Sequence, residues 1–293
     1  MKQIAIVSGK GGTGKTTIAS SFGILKENSL LADCDVDASN LYLMFQPKSE
    51  EEFKYYGGKK AIIDQSKCDQ CGICEKVCRF EAIKVESNTY SIDQYACEGC
   101  NACVISCPQE AIRLEDSLAG RYFYSTTTLE RKPLVYARLE PGEETSGGLV
   151  AEVRKHSLRK AGDLGKELII IDGAPGIGCP TTSSIAGVDY VVIVTEPTSS
   201  GLHDLKRIIE TVKHFRREAG VIVNKFDLNP KVSNEIKNYC ISEGVDILGE
   251  IPFDEIVVKA VLETKPVVYY SDSKAGAAIK NIFEKVIDKL QPF

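Results

Sequence analysis

The 293-residue chain is 43% hydrophobic and 26% charged, with 36 Lys/Arg against 41 Asp/Glu. That profile supplies one large α/β domain plus a small one, and a net charge of −5 speaks against a nonspecific nucleic-acid binder, which needs a basic face. No apolar run approaches the ~18–20 residues that span a bilayer, and the N-terminus enters a strand-like stretch without a secretory apolar region, so a cytoplasmic location is expected.

Ile4 to Ser8 is short, apolar and β-branched, the pattern of a buried parallel strand. Gly9-Lys10-Gly11-Gly12-Thr13-Gly14-Lys15-Thr16-Thr17 follows, a complete Gly-x-x-x-x-Gly-Lys-Thr phosphate loop opening a helix expected over Thr17 to Leu25. The glycines let successive N–H groups turn inward, and with the helix N-terminus they form a nest for a polyphosphate. Lys15 would reach the β- and γ-phosphates of ATP, and Thr16 would take one corner of a Mg²⁺ shell.

A second lysine inside the loop, in the order Lys-Gly-Gly-x-Gly-Lys-Thr, resembles the deviant Walker A ATPases of the MinD superfamily, which include Mrp-type iron–sulfur carriers and the nitrogenase iron protein. The resemblance implies an ATP-dependent dimer, of two copies or with a paralogue. Lys10 would then reach the partner's phosphates, as an arginine finger does.

Ser29 to Ala32 is the second expected strand, running into Asp33-Cys34-Asp35-Val36-Asp37. Carboxylates at the end of a parallel strand beside a phosphate loop can order attacking water and the Mg²⁺ shell. By the resemblance, Asp35 is the switch aspartate that positions water, and Asp37 bears on Mg²⁺. Cys34 is expected to be a small buried packing residue.

Residues 45–60 lose any pattern and are expected to be a charged linker. A repeat with a period of 29 residues then begins. Ile63-Asp64-Gln65 recurs as Ile92-Asp93-Gln94, and Cys68, Cys71, Cys74 and Cys78 recur as Cys97, Cys100, Cys103 and Cys107. Each half carries Cys-x₂-Cys-x₂-Cys-x₃-Cys, the run of bacterial two-cluster ferredoxins. Three closely spaced cysteines hold three corners of a [4Fe-4S] cube and the fourth ligates the other cube. One cluster is therefore assigned to Cys68, Cys71, Cys74 and Cys107, the other to Cys97, Cys100, Cys103 and Cys78. Zinc also takes Cys-x₂-Cys pairs, but needs no duplicated four-cysteine run. Residues 61–118 hold five Lys/Arg and ten Asp/Glu, a charge that would steer a basic redox partner.

Residues 120–139 alternate loosely and are expected to return the chain as strands. Pro141 to Gly148 is a loop, either a connector or, by the resemblance, part of the dimer face, before a helix over Leu149 to Lys160. Leu168 to Ile171 delivers Asp172 and then Gly173-Ala174-Pro175-Gly176. That is a Walker B arrangement, with Asp172 on Mg²⁺ and Gly176 as the pivot of a switch. Cys179 and Cys240 are expected to pack in the interior.

The remainder alternates strand and helix: strands at Tyr190–Thr195, Val221–Val223 and Ile247–Ile251, a helix carrying Leu205 to Phe215, and a last helix with Ile279, Ile282, Phe283, Val286, Ile287 and Leu290 on one face. Core packing, not a membrane, is expected for that face, and His156, His203 and His214 are expected on the surface. Asn224 and Pro252 resemble the base-contacting positions of the MinD superfamily. The expected architecture is a mostly parallel, doubly wound P-loop sheet formed by 1–60 and 119–293, with a small α+β ferredoxin-like insert at 61–118. The expected function is an ATPase that couples nucleotide state to electron transfer toward a metalloprotein. The alternative is an assembly factor that passes iron–sulfur clusters to an apo-metalloprotein.

Overall fold

The most apolar runs of the chain become neighbouring strands, because a strand covered on both faces has no polar side to alternate with. The computed structural model describes residues 1–143 and 147–290. In chain order the elements are β1 (Lys2–Ser8), α1 (Lys15–Leu25), β2 (Ser29–Asp33), α2 (Leu41–Phe45), β3 (Pro47–Ile63), α3 (Ile73–Val77), β4 (Ile83–Glu86), β5 (Thr89–Ile92), α4 (Ala102–Ser106), β6 (Ile112–Thr127) and β7 (Pro133–Leu139). There follow α5 (Gly147–Asp163), β8 (Leu168–Pro175), α6 (Cys179–Ile185), β9 (Tyr190–Thr195), α7 (Ser199–His214), β10 (Glu218–Asn224), α8 (Pro230–Ser242), β11 (Asp246–Ile251), α9 (Glu255–Leu262) and α10 (Lys274–Leu290).

The chain divides into two compact units: one of Met1–Phe53, Tyr122–Arg138 and Thr145–Phe293, the other of Lys54–Arg121 and Leu139–Glu144. The strand order of the large sheet is β11-β10-β9-β1-β8-β2-β7-β6-β3. From β11 to β7 every pairing is parallel. β1 lies between β8 and β9, with Ile6 opposite both Asp172 and Val192. Ile4 and Ile6 face a layer that includes Phe22 of α1 and Ile279, Ile282, Phe283 and Val286 of α10. On the other face Val7 and Ser184 of α6 close on Gly173, leaving no room there for a Cβ. Burying each such Ile or Phe is worth about 1.5–3 kcal/mol, so packing on both faces holds the strand ends in place.

Residues 45–60 are a correction. They are not a linker: 47–63 form one long strand at the edge of the sheet. An edge strand is paired on one side only and tolerates charge on both faces; Lys48, Glu50, Glu51 and Glu52 are all exposed. His156 is a second correction. It is buried in α5, 4.6 Å from the Phe53 ring and 5.5 Å from that of Tyr122, because the aromatic residues of the unexpected strand and its neighbour enclose it. His203 and His214 are exposed. Glu144, Thr145 and Ser146 of the expected loop lie outside the described residues.

In the smaller unit the 29-residue repeat is structural. α3 and α4 are images of each other, and Asp64 N donates to Ala111 O at 2.7 Å just as Asp93 N donates to Ala82 O at 2.7 Å. β4 and β5 pair antiparallel with Ile83 opposite Ile92; their images, the start of β6 and the end of β3, are also neighbours. The buried cluster here is thin, with Ala61, Cys103 and Ile112 buried and Cys74, Cys97 and Cys107 packed on it. Among the described residues no helix is long and apolar enough to cross a membrane.

Candidate functional site

The turn from β1 to α1 is possible because Gly12 and Gly14 take φ of +77° and +94°, left-handed values that side chains resist. At Gly14 space is short as well: an added Cβ would sit 2.6 Å from Asn224 Nδ2. Lys15 opens α1 and is almost wholly buried, and the neighbouring Thr13 Oγ1 is buried with no hydrogen-bond partner. A buried hydroxyl left unpaired in a loop of inward N–H groups suits an anion.

Because β8 runs beside β1, Asp172 arrives next to the loop. Thr16 Oγ1 donates to Asp172 Oδ2 at 2.6 Å, and Asp172 Oδ1 is buried without a partner. Burial pushes the Asp172 carboxyl well above its usual range, with the nearby Asp33 adding to it and Lys15 opposing it. A divalent cation at Oδ1 would cancel that cost, so Thr16 and Asp172 fit a Mg²⁺ shell, where the ion would neutralise phosphate charge. Gly176 N donates to Ser8 O at 2.8 Å and Cys34 N to Asp172 O at 2.8 Å, which ties both candidate switch segments to this point.

Asp33 is fully buried at the end of β2. It accepts hydrogen bonds from Ser39 Oγ and from the backbone N–H groups of Asp35, Asn40 and Leu41. It therefore folds the loop that presents Asp35. Asp35 itself is half-buried, its pKa raised by burial and held back by the Lys15 charge. Asp37 is exposed and takes no part in the Thr16–Asp172 contact.

Lys10 is engaged within its own chain. Its Nζ donates to Thr198 Oγ1 (3.2 Å) and Ser200 Oγ (3.4 Å) at the start of α7 and lies 3.7 Å from Glu196 Oε2. Lys225 Nζ donates to the other oxygen of Glu196 at 2.6 Å. Asn224 Nδ2 donates to Thr13 O at 2.8 Å. Asn224 and Pro252 line one cleft of about 330 Å³ with Gly12, Gly14, Thr17 and Phe253. A larger cleft of about 610 Å³ lies where β9, β10 and β11 begin, among Tyr190, Glu218 and Asp246. That is the wrong end of a parallel sheet for ligands, which bind beyond the strand C-termini.

The eight clustered cysteines surround two small cavities of about 20 Å³ each. Cys68, Cys71, Cys74 and Cys107 line one; Cys78, Cys97, Cys100 and Cys103 line the other. The backbone N–H groups of Ala82, Ala111 and Ala61 point at the sulfurs of Cys78 (3.4 Å), Cys107 (3.3 Å) and Cys97 (3.5 Å). Among the described residues no three His, Cys, Asp or Glu side chains converge as a single-ion site. Cys34 and Cys240 are buried, as expected. Cys179 is exposed, contrary to expectation, because it occupies the first position of α6 with its side chain turned outward.

A family model described as the CobQ/CobB/MinD/ParA nucleotide binding domain matches residues 4–267. The chain belongs to that family. An uncharacterized protein of Methanocaldococcus jannaschii is 37% identical over 287 residues, covering 97% of this chain and 96% of the relative. An iron-sulfur cluster carrier protein of Pyrococcus abyssi is 30% identical over 159 residues, half of this chain and 53% of the carrier. Among solved structures, MinD of Pyrococcus horikoshii complexed with Mg-ADP superposes with a TM-score of 0.57 at 19% identity, covering 99% and 96% of the two chains, a likeness of fold.

MinD/ParA proteins hydrolyse ATP, and this chain is an ATPase of that class. Asp33, Glu196 and Lys225 join the site without belonging to any of the motifs that marked it in the sequence. Asp33 and Glu196 carried a usable signal, since each is an acidic residue at the C-terminal end of a parallel strand, as Asp172 is.

Proposed function

We propose that this MinD/ParA-class ATPase carries two [4Fe-4S] clusters and couples its nucleotide state to electron transfer toward a partner metalloprotein. The observation that carries the reading is the crossed lining of the two cavities. Each takes three cysteines from one half of the repeat and the fourth from the other, as two cubanes require. When bound, each cluster supplies one-electron chemistry. The chain's part is to hold it with thiolates and to aim backbone N–H groups at the sulfurs, which raises the potential, against surrounding carboxylates, which lower it.

On the nucleotide side, the phosphate loop from Gly9 to Thr17 grips ATP, Lys15 meets the β- and γ-phosphates, and Asn224 and Pro252 flank the base. Thr16 and Asp172 hold Mg²⁺, Asp37 standing exposed outside their contact, while Asp35 orients the attacking water. Two protomers, or one and a paralogue, close over ATP, and Lys10 then leaves Glu196 for the partner's phosphates. Hydrolysis releases the segments around Asp35 and from Asp172 to Gly176. The domains follow the 1–60 and 119–293 ATPase and the 61–118 ferredoxin-like insert, with the working boundary nearer 54 and 121.

A second reading, cluster assembly or delivery, is favoured by the similarity to the iron-sulfur cluster carrier protein of Pyrococcus abyssi. One anaerobic experiment separates the two. ATP is added to reduced, cluster-loaded protein, and cluster spectra are followed with and without an oxidised acceptor or an apo-ferredoxin. Electron transfer oxidises clusters that stay bound through repeated turnover; delivery moves iron to the apo-protein. Iron near zero after reconstitution would sink both readings.

A further inference from the structure

The repeat makes the two cysteine cavities near-images of each other, so any residue that differs between image positions cannot be explained by the needs of the cluster loop. Three exposed positions differ in one direction. Phe80, Tyr95 and Ile105, each two residues along the chain from Cys78, Cys97 or Cys103 of one cavity, are 44%, 75% and 79% exposed. Their images 29 residues away, around the Cys68/Cys71/Cys74/Cys107 cavity, are Gln109, Ser66 and Lys76, all exposed. Phe80 lines the cavity itself, and Ile105 N donates to the carbonyl of Asn101, which also lines it. Gln109 instead donates to Asp69.

A fourth difference points the same way. Tyr90 covers the Cys68/Cys71/Cys74/Cys107 cavity, its hydroxyl 3.1 Å from where a Cβ on Gly72 would be, while the image position in the other cavity holds Ala61. On the polar side Ile73 is 36% exposed and Val85, opposite Tyr90, is 42% exposed, both less than the three residues above. Cys71 and Cys100, themselves images, are both exposed, so thiol exposure does not separate the two sides.

Exposed aromatic and aliphatic groups cost solubility and are used for contact. We propose that the surface beside this cavity, where Phe80, Tyr95 and Ile105 are exposed, is where a soluble redox protein with a basic rim docks, making the Cys78/Cys97/Cys100/Cys103 site the exit for electrons. This rests on the two-cluster reading above. The basic rim follows from charge: residues 61–118 carry ten acidic against five basic side chains, and two clusters with thiolate ligands add further negative charge. Opposite charge steers encounter, and the apolar centre supplies the close contact that electron transfer needs. The transfer moves one electron from a reduced cluster to an oxidised acceptor metal, with no bond or proton exchanged.

The test uses the full reconstituted chain and ferric cytochrome c, a basic redox protein, as the probe. The variant Phe80→Gln/Tyr95→Ser/Ile105→Gln is charge-neutral, and Gln and Ser already occupy the image positions of the first two. Calorimetric binding to the oxidised protein should weaken at least tenfold, and the stopped-flow second-order rate of cytochrome reduction should fall at least tenfold. Reduction of the small dye dichlorophenolindophenol should stay within twofold, and Lys76→Ala/Gln109→Ala should leave cytochrome binding within twofold. Unchanged binding in the triple variant, or an equal loss in the Lys76/Gln109 pair, would overturn the assignment. So would sedimentation showing that the triple variant dissociates a dimer of this chain, since the face would then be a self-contact. Absence of bound iron in the unaltered chain would count against the two-cluster reading instead, and the iron assay separates the two failures.

Discussion

Replacing Gly14 by Ala should loosen nucleotide binding by an amount that can be built from two parts. The first is backbone strain: φ is +94°, and forcing a side-chain residue into left-handed geometry costs about 1–2 kcal/mol. The second is a collision, because the new Cβ would lie 2.6 Å from Asn224 Nδ2, which donates to Thr13 O at 2.8 Å. Displacing that amide forfeits a hydrogen bond worth about 1 kcal/mol. A ligand-free loop can relax away from both, whereas a polyphosphate demands the bent form. The cost therefore falls on affinity: about 2–3 kcal/mol, or a Kd for ADP raised roughly 30- to 150-fold. The assay is fluorescence titration with a labelled ADP. The collision is separable from the strain in an Asn224→Ala background, where Gly14→Ala should cost about 1 kcal/mol less. Binding within threefold of the unaltered protein, or the same loss in both backgrounds, would show that the Gly14–Asn224 contact does not shape the site.

Asp172→Asn should leave ADP affinity in EDTA within about threefold while abolishing the gain that Mg²⁺ brings, measured by titration with and without the ion. Lys10→Ala should retain ADP binding within about fivefold yet reduce steady-state ATPase at least tenfold, if a cation supplied across a dimer stabilises transferring phosphoryl charge. The crossed cysteine sets give an iron count: Cys68→Ser/Cys107→Ser should lower bound iron from about eight to about four per chain, whereas Cys68→Ser/Cys78→Ser should lower it toward zero. Lys132 Nζ is buried against the carbonyls of Lys26 (2.8 Å) and Glu27 (2.7 Å), and burial pushes its pKa down to about 8. The unfolded chain then keeps that proton to higher pH than the folded one, so folding should gain from Lys132 as pH rises from about 8 toward 10.5. Urea midpoints at pH 7.5 and 9.5 should show the gain, and Lys132→Met should remove it.

What the sequence revealed followed from how many sides of a segment are covered. Strands buried on both faces read as unbroken apolar runs, and β9 was bounded to the residue at Tyr190–Thr195. The strand over residues 47–63 was missed for the opposite reason: at the sheet edge its Lys and Glu side chains meet water, so its period was masked by charge. That miss carried His156 with it, since its aromatic shelter includes Phe53 of the same strand. Cys179 was misjudged because a buried cysteine is the common case and a helix-start position cannot be read from composition. In the site, the loop and Asp172 were legible from fixed spacing. Glu196 stood out only as an acidic residue at a strand end; its role was hidden, as it serves Lys10 from 186 residues away, a pairing the adjacency of β1 and β9 creates.

Glu196 also answers to Lys225, and that shared allegiance has a thermodynamic consequence. A largely buried carboxylate abandoned by its only cation would resist the separation, and any motion needing Lys10 elsewhere would begin at a disadvantage. With Lys225 2.6 Å away on the other oxygen, the anion keeps a companion when Lys10 departs. The lysine is thus berthed rather than bound, free to be claimed by whatever larger negative charge comes within its reach.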